Sequence, residues 1–128
     1  MDIKDFYTGI QHIGIPTNNM KETITFYEQL GFHVALLTNN QEETVAFLQM
    51  HNLMIETYEN NAAAMQAGAI DHIAVDVKDI DSLFELMKAK NFHVLDSQVN
   101  KLPFWENGVK FFTVLGPNKE KIEFCERL

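Results

Sequence analysis

The chain has 128 residues, 46% of them hydrophobic, with ten Phe, a single Cys and a formal charge of −8. That length suits one domain with one core, and no apolar run approaches the about 20 residues of a membrane span, so a soluble cytoplasmic protein is expected. The acidic balance, with no Lys/Arg cluster to interrupt it, opposes phosphate-rich partners and excludes nucleic acid, and the lone Cys125 makes neither an internal disulfide nor a thiolate zinc cage.

In chain order, the first element is an alternating strand, IQHIGIPT (10–17), followed by a polar turn in which Asn18 or Asn19 caps a helix. Met20, Ile24, Tyr27 and Leu30 form one apolar stripe at helical period, and Gly31 closes the helix. Three strands follow: HVALLT, TVAFLQM and LMIETYE. The chain then repeats this order. IDHIAVDV (70–77) is a strand, Asp79 caps a helix whose stripe is Ile80, Leu83, Phe84 and Met87, Asn91 replaces the closing Gly, and HVLDSQV, KFFTVLG and KIEFCER supply three more strands.

The repetition is visible residue by residue. Segment 10–34 aligns without a gap on 70–94, so that His12 falls on His72 and Phe32-His33-Val34 on Phe92-His93-Val94. Segment 44–59 aligns on 111–126, Glu56 falling on Glu123, and the extra residues of the second copy lie around LPFWENG. The expected fold is α+β: two βαβββ modules, about 8–60 and 68–126, joined in a single domain as a cupped mixed sheet with helices on its outer face.

Strand parity assigns each side chain to a face. Ile13 and Ile15, like Ile73, Val75 and Val77, belong under the helices, which leaves His12 and His72 on the opposite face beside Gly14 and Ala74. Ile55 and Thr57 flank Glu56, and Ile122 and Phe124 flank Glu123, so both acids share the face of the histidines. Two His and two Glu suit a divalent ion such as Zn, Ni, Co, Mn or Fe(II), and Glu56 and Glu123 are candidate proton carriers as well as metal ligands. A lone strand His is more often a hydrogen-bonded surface group. His33 and His93 also repeat but lack a repeat-related carboxylate, so they read as strand-entry residues, and His51 reads as a turn residue. Cys125 reads as a small packed side chain, and GPNK as a turn rather than a phosphate loop. Phe104 and Trp105, on the longest loop of the second copy, are candidate substrate residues as a lid or, equally, a surface buried against a partner subunit.

IQHIGIPTNNMKETITFYEQLGF and IDHIAVDVKDID, with the endings MIETYE and GPNKEKIEF, resemble the vicinal oxygen chelate superfamily over residues 8–126. Its members include glyoxalase I, fosfomycin-resistance and bleomycin-binding proteins, methylmalonyl-CoA epimerase and extradiol dioxygenases. The resemblance carries the metal positions onto His12, Glu56, His72 and Glu123, a His-Glu-His-Glu set similar to that of glyoxalase I. It implies a small-molecule substrate that chelates the metal through adjacent oxygens, a homodimer, and a lyase or isomerase that moves a proton on an α-oxo or hemithioacetal compound. Asn60 matches a position that touches a thiol cofactor, whereas Pro16 stands where the bacterial glyoxalase has a glutathione-binding arginine; the chain's one Arg is Arg127. Two further activities are compatible with the same resemblance: epimerase-like proton transfer on an acyl thioester, with Glu42 or Glu43 as an extra acid, and non-catalytic sequestration of a drug or metabolite.

Overall fold

The structure, a computed structural model, describes residues 2–128. After a short 3-10 turn at Ile3–Phe6, the elements run β1 (Ile13–Thr17), α1 (Met20–Gln29), β2 (His33–Asn40), β3 (Glu43–Met50), β4 (Leu53–Glu59), β5 (His72–Asp76), α2 (Ile80–Ala89), β6 (Asn100–Leu102), β7 (Val109–Leu115) and β8 (Lys121–Arg127). They form two mixed four-stranded sheets, β1-β4-β3-β2 and β5-β8-β7-β6. The βαβββ reading therefore holds. The chain divides into two compact units, Met1–Ala63 and Ala64–Leu128.

In the first unit, Asn19 rather than Asn18 is the N-cap of α1, its Oδ1 accepting from the Glu22 amide at 3.0 Å. Gly31 follows the helix at φ +104°, the left-handed turn that a residue with a Cβ resists. The helix buries Met20, Thr23 and Tyr27 on the sheet, where Tyr27, wholly buried, meets Phe32 edge to face with ring centroids 5.2 Å apart. Thr23 lay outside the apolar stripe, but its hydroxyl meets that of Thr17 at 2.8 Å, which satisfies both polar groups inside the core.

The second unit repeats the plan with two differences. Asp79 makes no side-chain cap: it sits at φ 52°, and the Ile80 amide donates instead to Glu126 Oε1 at 3.0 Å. The same long-range cap exists in the first unit, where the Met20 amide donates to Glu59 Oε2. The expected strand HVLDSQV is the second difference. Only a single bridge, Val94 with Val114, forms there, and the strand beside β7 is Asn100–Leu102. Asp96 accounts for the break, because its carboxylate takes the Thr113 amide at 2.7 Å and the Asn100 side-chain amide at 2.8 Å, so a side chain replaces the ladder. The core here is Ile80, Phe84, Met87, Val109, Phe112, Val114, Ile122 and Phe124, with Phe112 stacked on Phe124 and edge-on to Phe84.

Both first strands start later than their apolar patterns. Ile10 and Ile70 are exposed, and β1 begins at Ile13, β5 at His72. No helix among the described residues is long and apolar enough to cross a membrane.

Candidate metal centre

In each unit a first strand lies parallel to a last strand, and register brings the chemistry together. Gly14 pairs with Glu56, which pairs in turn with Phe47; Ala74 pairs with Glu123, which pairs with Thr113. Burial follows parity as expected: Ile55 and Thr57 are buried, as are Ile122 and Phe124, while Glu56 and Glu123 between them are only half-buried on the other face.

On that open face His12 Nε2 stands 3.7 Å from Glu56 Oε1, and His72 Nε2 stands 3.9 Å from Glu123 Oε1. These gaps are too long for direct hydrogen bonds. Two donors on one ion at about 2.0–2.2 Å would sit about 3.0–3.4 Å apart, so each pair needs to close by less than about 1 Å to share a metal. Solvent reaches all four groups, the side chains of His12 and Glu56 being 33% and 29% exposed. A Cβ built on Gly14 would lie 3.6 Å from the Tyr58 ring and 3.9 Å from Glu56 Oε1, ordinary contact distances, so an alanine such as Ala74 fits the same place. Within each unit, among the described residues, no further His, Cys, Asp or Glu extends the pair into a three-donor metal group.

Each imidazole is held by the residue before it. His12 Nδ1 meets Gln11 Oε1 at 2.9 Å, and His72 Nδ1 meets Asp71 Oδ2 at 3.0 Å, so both rings turn Nε2 toward the glutamate. Lys121, which pairs with His72 in the ladder, adds a contact from Nζ to the other Asp71 oxygen at 3.4 Å. The hydrogen bond from His72, then the Lys121 ammonium, holds the Asp71 carboxyl below its usual range. Phe47 stands edge-on to His12 with centroids 5.7 Å apart. None of these supporting residues was singled out from sequence. Gln11 and Asp71 do align in the repeat, but as different residue types they left only a faint trace.

The remaining candidates lie apart in role. Asn60 is exposed, its Oδ1 accepting from the Ala62 amide, which makes it a turn residue in this structure. Phe104 and Trp105 are 55% and 68% exposed on the β6–β7 loop, and the Arg127 guanidinium lies 4.2 Å over the Trp105 ring. A cavity of about 500 Å³ opens beside that loop, lined by Lys101, Leu102, Trp105 and Leu128 among others. His33, His51 and His93 are exposed strand-entry and turn residues. Cys125 is half-buried, and burial, with Glu123 and Asp76 near it, pushes its thiol up, away from nucleophilic use.

Comparison with known proteins bears on the family and the fold. Residues 9–124 match the model of the glyoxalase/bleomycin resistance protein/dioxygenase superfamily. The chain is 30% identical over 125 residues to the uncharacterised protein YwbC of Bacillus subtilis (strain 168), covering 92% of this chain and 97% of that one. Among solved structures, a glyoxalase family protein from Enterococcus faecalis superposes with a TM-score of 0.79 at 21% identity, covering 94% of this chain and 99% of that one. The genomically encoded fosfomycin resistance protein FosX from Listeria monocytogenes, in complex with Mn(II) and sulfate, gives 0.74 at 13% identity, covering 96% and 95%.

Proposed function

The chain belongs to the glyoxalase/bleomycin resistance protein/dioxygenase superfamily, and from that premise we propose that it is a divalent-metal-dependent lyase or isomerase of glyoxalase type. The observation that carries this reading is the duplicated His–Glu pair. Both pairs stand on open faces at matching registers, and both rings have Nδ1 occupied and Nε2 turned to the acid. The proposed ligands are His12, Glu56, His72 and Glu123, an all-imidazole and carboxylate set that suits Zn, Ni, Co, Mn or Fe(II). The solved relative from Listeria monocytogenes binds Mn(II).

When bound, the metal polarises a chelated carbonyl and acidifies the carbon beside it. The protein's own groups do the rest. His12 and His72 would bind through Nε2, since the other nitrogen of each ring already meets Gln11 or Asp71. Glu56 and Glu123 each carry an oxygen into the solvent-accessible face, where one of them takes a proton from substrate carbon and returns it to the neighbouring carbon without net redox change. Glutathione lacks its usual anchor here, since Pro16 offers no guanidinium, so we propose a small α-oxo substrate or a hemithioacetal of another thiol.

Elemental analysis of protein purified without chelator and dialysed should find a divalent ion in stoichiometric amount. Glu56→Gln and Glu123→Gln should lower metal content and abolish turnover of α-oxo or hemithioacetal substrates. Protein that neither contains nor rebinds an ion refutes the reading and leaves metal-free sequestration of a small molecule in its place.

A further inference from the structure

The two half-sites are alike in ligands and unlike in what stands behind them. An ionised carboxylate only accepts hydrogen bonds, so Asp71 Oδ2 at 3.0 Å from His72 Nδ1 requires that nitrogen to carry the proton. Gln11 presents Oε1 to His12 Nδ1 at 2.9 Å, but the same amide turned by 180° presents NH2 instead, so Gln11 accommodates both tautomers of His12. Asp71 is itself braced by Lys121 Nζ on its second oxygen at 3.4 Å, whereas the repeat-related place in the first unit is the apolar Met54.

We propose that Asp71 is a positioning residue that locks His72 as the Nδ1–H tautomer and so presents a permanent Nε2 lone pair toward Glu123, while His12 has no such lock. The assignment of His72 as a metal ligand rests on the preceding reading. The tautomer lock does not. Its cause is local: the aspartate precedes the histidine in sequence at the start of β5, and the lysine faces it across the β5–β8 ladder, where His72 pairs with Lys121. An exposed ion pair of this kind adds little to stability, so its effect falls on ring orientation and donor strength.

Long-range 1H–15N correlation of the metal-free protein at mildly alkaline pH reads the tautomers directly. His72 should show a protonated Nδ1 and a bare Nε2, and His12 a mixture. In Asp71→Ala the His72 signals should move to the Nε2–H form that free neutral imidazole favours, and Asp71→Asn, which keeps an acceptor of the same shape, should restore part of the Nδ1–H signature. Titration with Zn(II) and, separately, Mn(II) should show affinity falling about 10–100-fold in Asp71→Ala, less in Asp71→Asn, and by a smaller factor in Gln11→Ala. A wild-type His72 in the Nε2–H form, or signals unmoved by Asp71→Ala, overturns the proposal. Should the wild-type protein bind neither ion, the metal reading fails while the tautomer spectra still decide this one.

Discussion

Each last strand carries two glutamates of opposite parity, and the structure gives them different tasks. Glu56 and Glu123 face the open side, whereas Glu59 and Glu126 reach the helices and accept the first amides of α1 and α2. Replacing Glu59 or Glu126 by Ala removes a charged acceptor from a helix N-terminus. A hydrogen bond to a charged group is worth about 1.5–3 kcal/mol, and a lost cap about 0.5–2. Both glutamates are half-buried, so about 1–2 kcal/mol per site is expected, or about 4–8 °C in Tm for a chain of this size. Glu126→Ala should cost more, because α2 has no side-chain cap from Asp79, while α1 keeps Asn19 on the Glu22 amide. Gln at either place, still an acceptor, should cost about half as much. Urea unfolding paired with Zn(II) titration separates the two tasks: Glu59→Ala and Glu126→Ala should lower the midpoint and leave metal affinity unchanged, with the reverse for Glu56→Gln and Glu123→Gln. A Glu59→Ala protein of wild-type stability that has lost metal binding would refute the division of faces.

Thr57→Val should stabilise the protein by about 1 kcal/mol in the same unfolding assay, because the buried Thr57 Oγ1 has no hydrogen-bond partner among the described residues and an isosteric methyl removes that penalty. An unchanged or lower midpoint shows that the hydroxyl is paired in solution. Trp105 is the chain's one tryptophan, so selectively excited tryptophan fluorescence reports on the β6–β7 loop alone. Its exposure predicts a solvent-like emission open to acrylamide quenching; a blue-shifted, protected signal would mean that the loop is covered by a partner subunit or closed as a lid.

The elements and their order were legible because the hydrophobic period changes cleanly from two to helical and back, twice. The faces were legible for the same reason: once Ile55 and Thr57 are placed under a helix, Glu56 has only one side left. What escaped were features set by contacts between distant residues. Glu59 as a cap for Met20 is invisible to a rule that looks for caps beside the helix start, and Asp79 obeyed that rule by type while adopting a left-handed backbone that prevents it. HVLDSQV alternates well enough to pass as a strand, but Asp96 spends its carboxylate on the Thr113 amide and ends the ladder. The partners of the imidazoles escaped because Gln11 and Asp71 differ in type between the copies, and because adjacent residues in a strand point to opposite faces. His12 precedes β1 and His72 is the first residue of β5, where the backbone is free to bring neighbours together.

The two copies have drifted unequally, and the pattern of drift separates packing from chemistry. On the covered face the aromatic bulk has moved. The first unit puts Tyr27 on its helix against strands that carry Val45 and Thr57, whereas the second puts Met87 at the matching helix position and Phe112 and Phe124 on the strands, with Phe84 joining them. A core constrains the volume that its side chains fill together, so helix and strand can exchange size so long as the interior stays full. An ion constrains the identity of each donor, because no other residue pair offers the same nitrogen and oxygen at that reach. On the open face the pairs are unchanged, His with Glu at the same register in both units, amid neighbours as different as Phe47 and Thr113. The recurrence of these pairs in both units, at 3.7 and 3.9 Å, is what the proposed metal reading rests on.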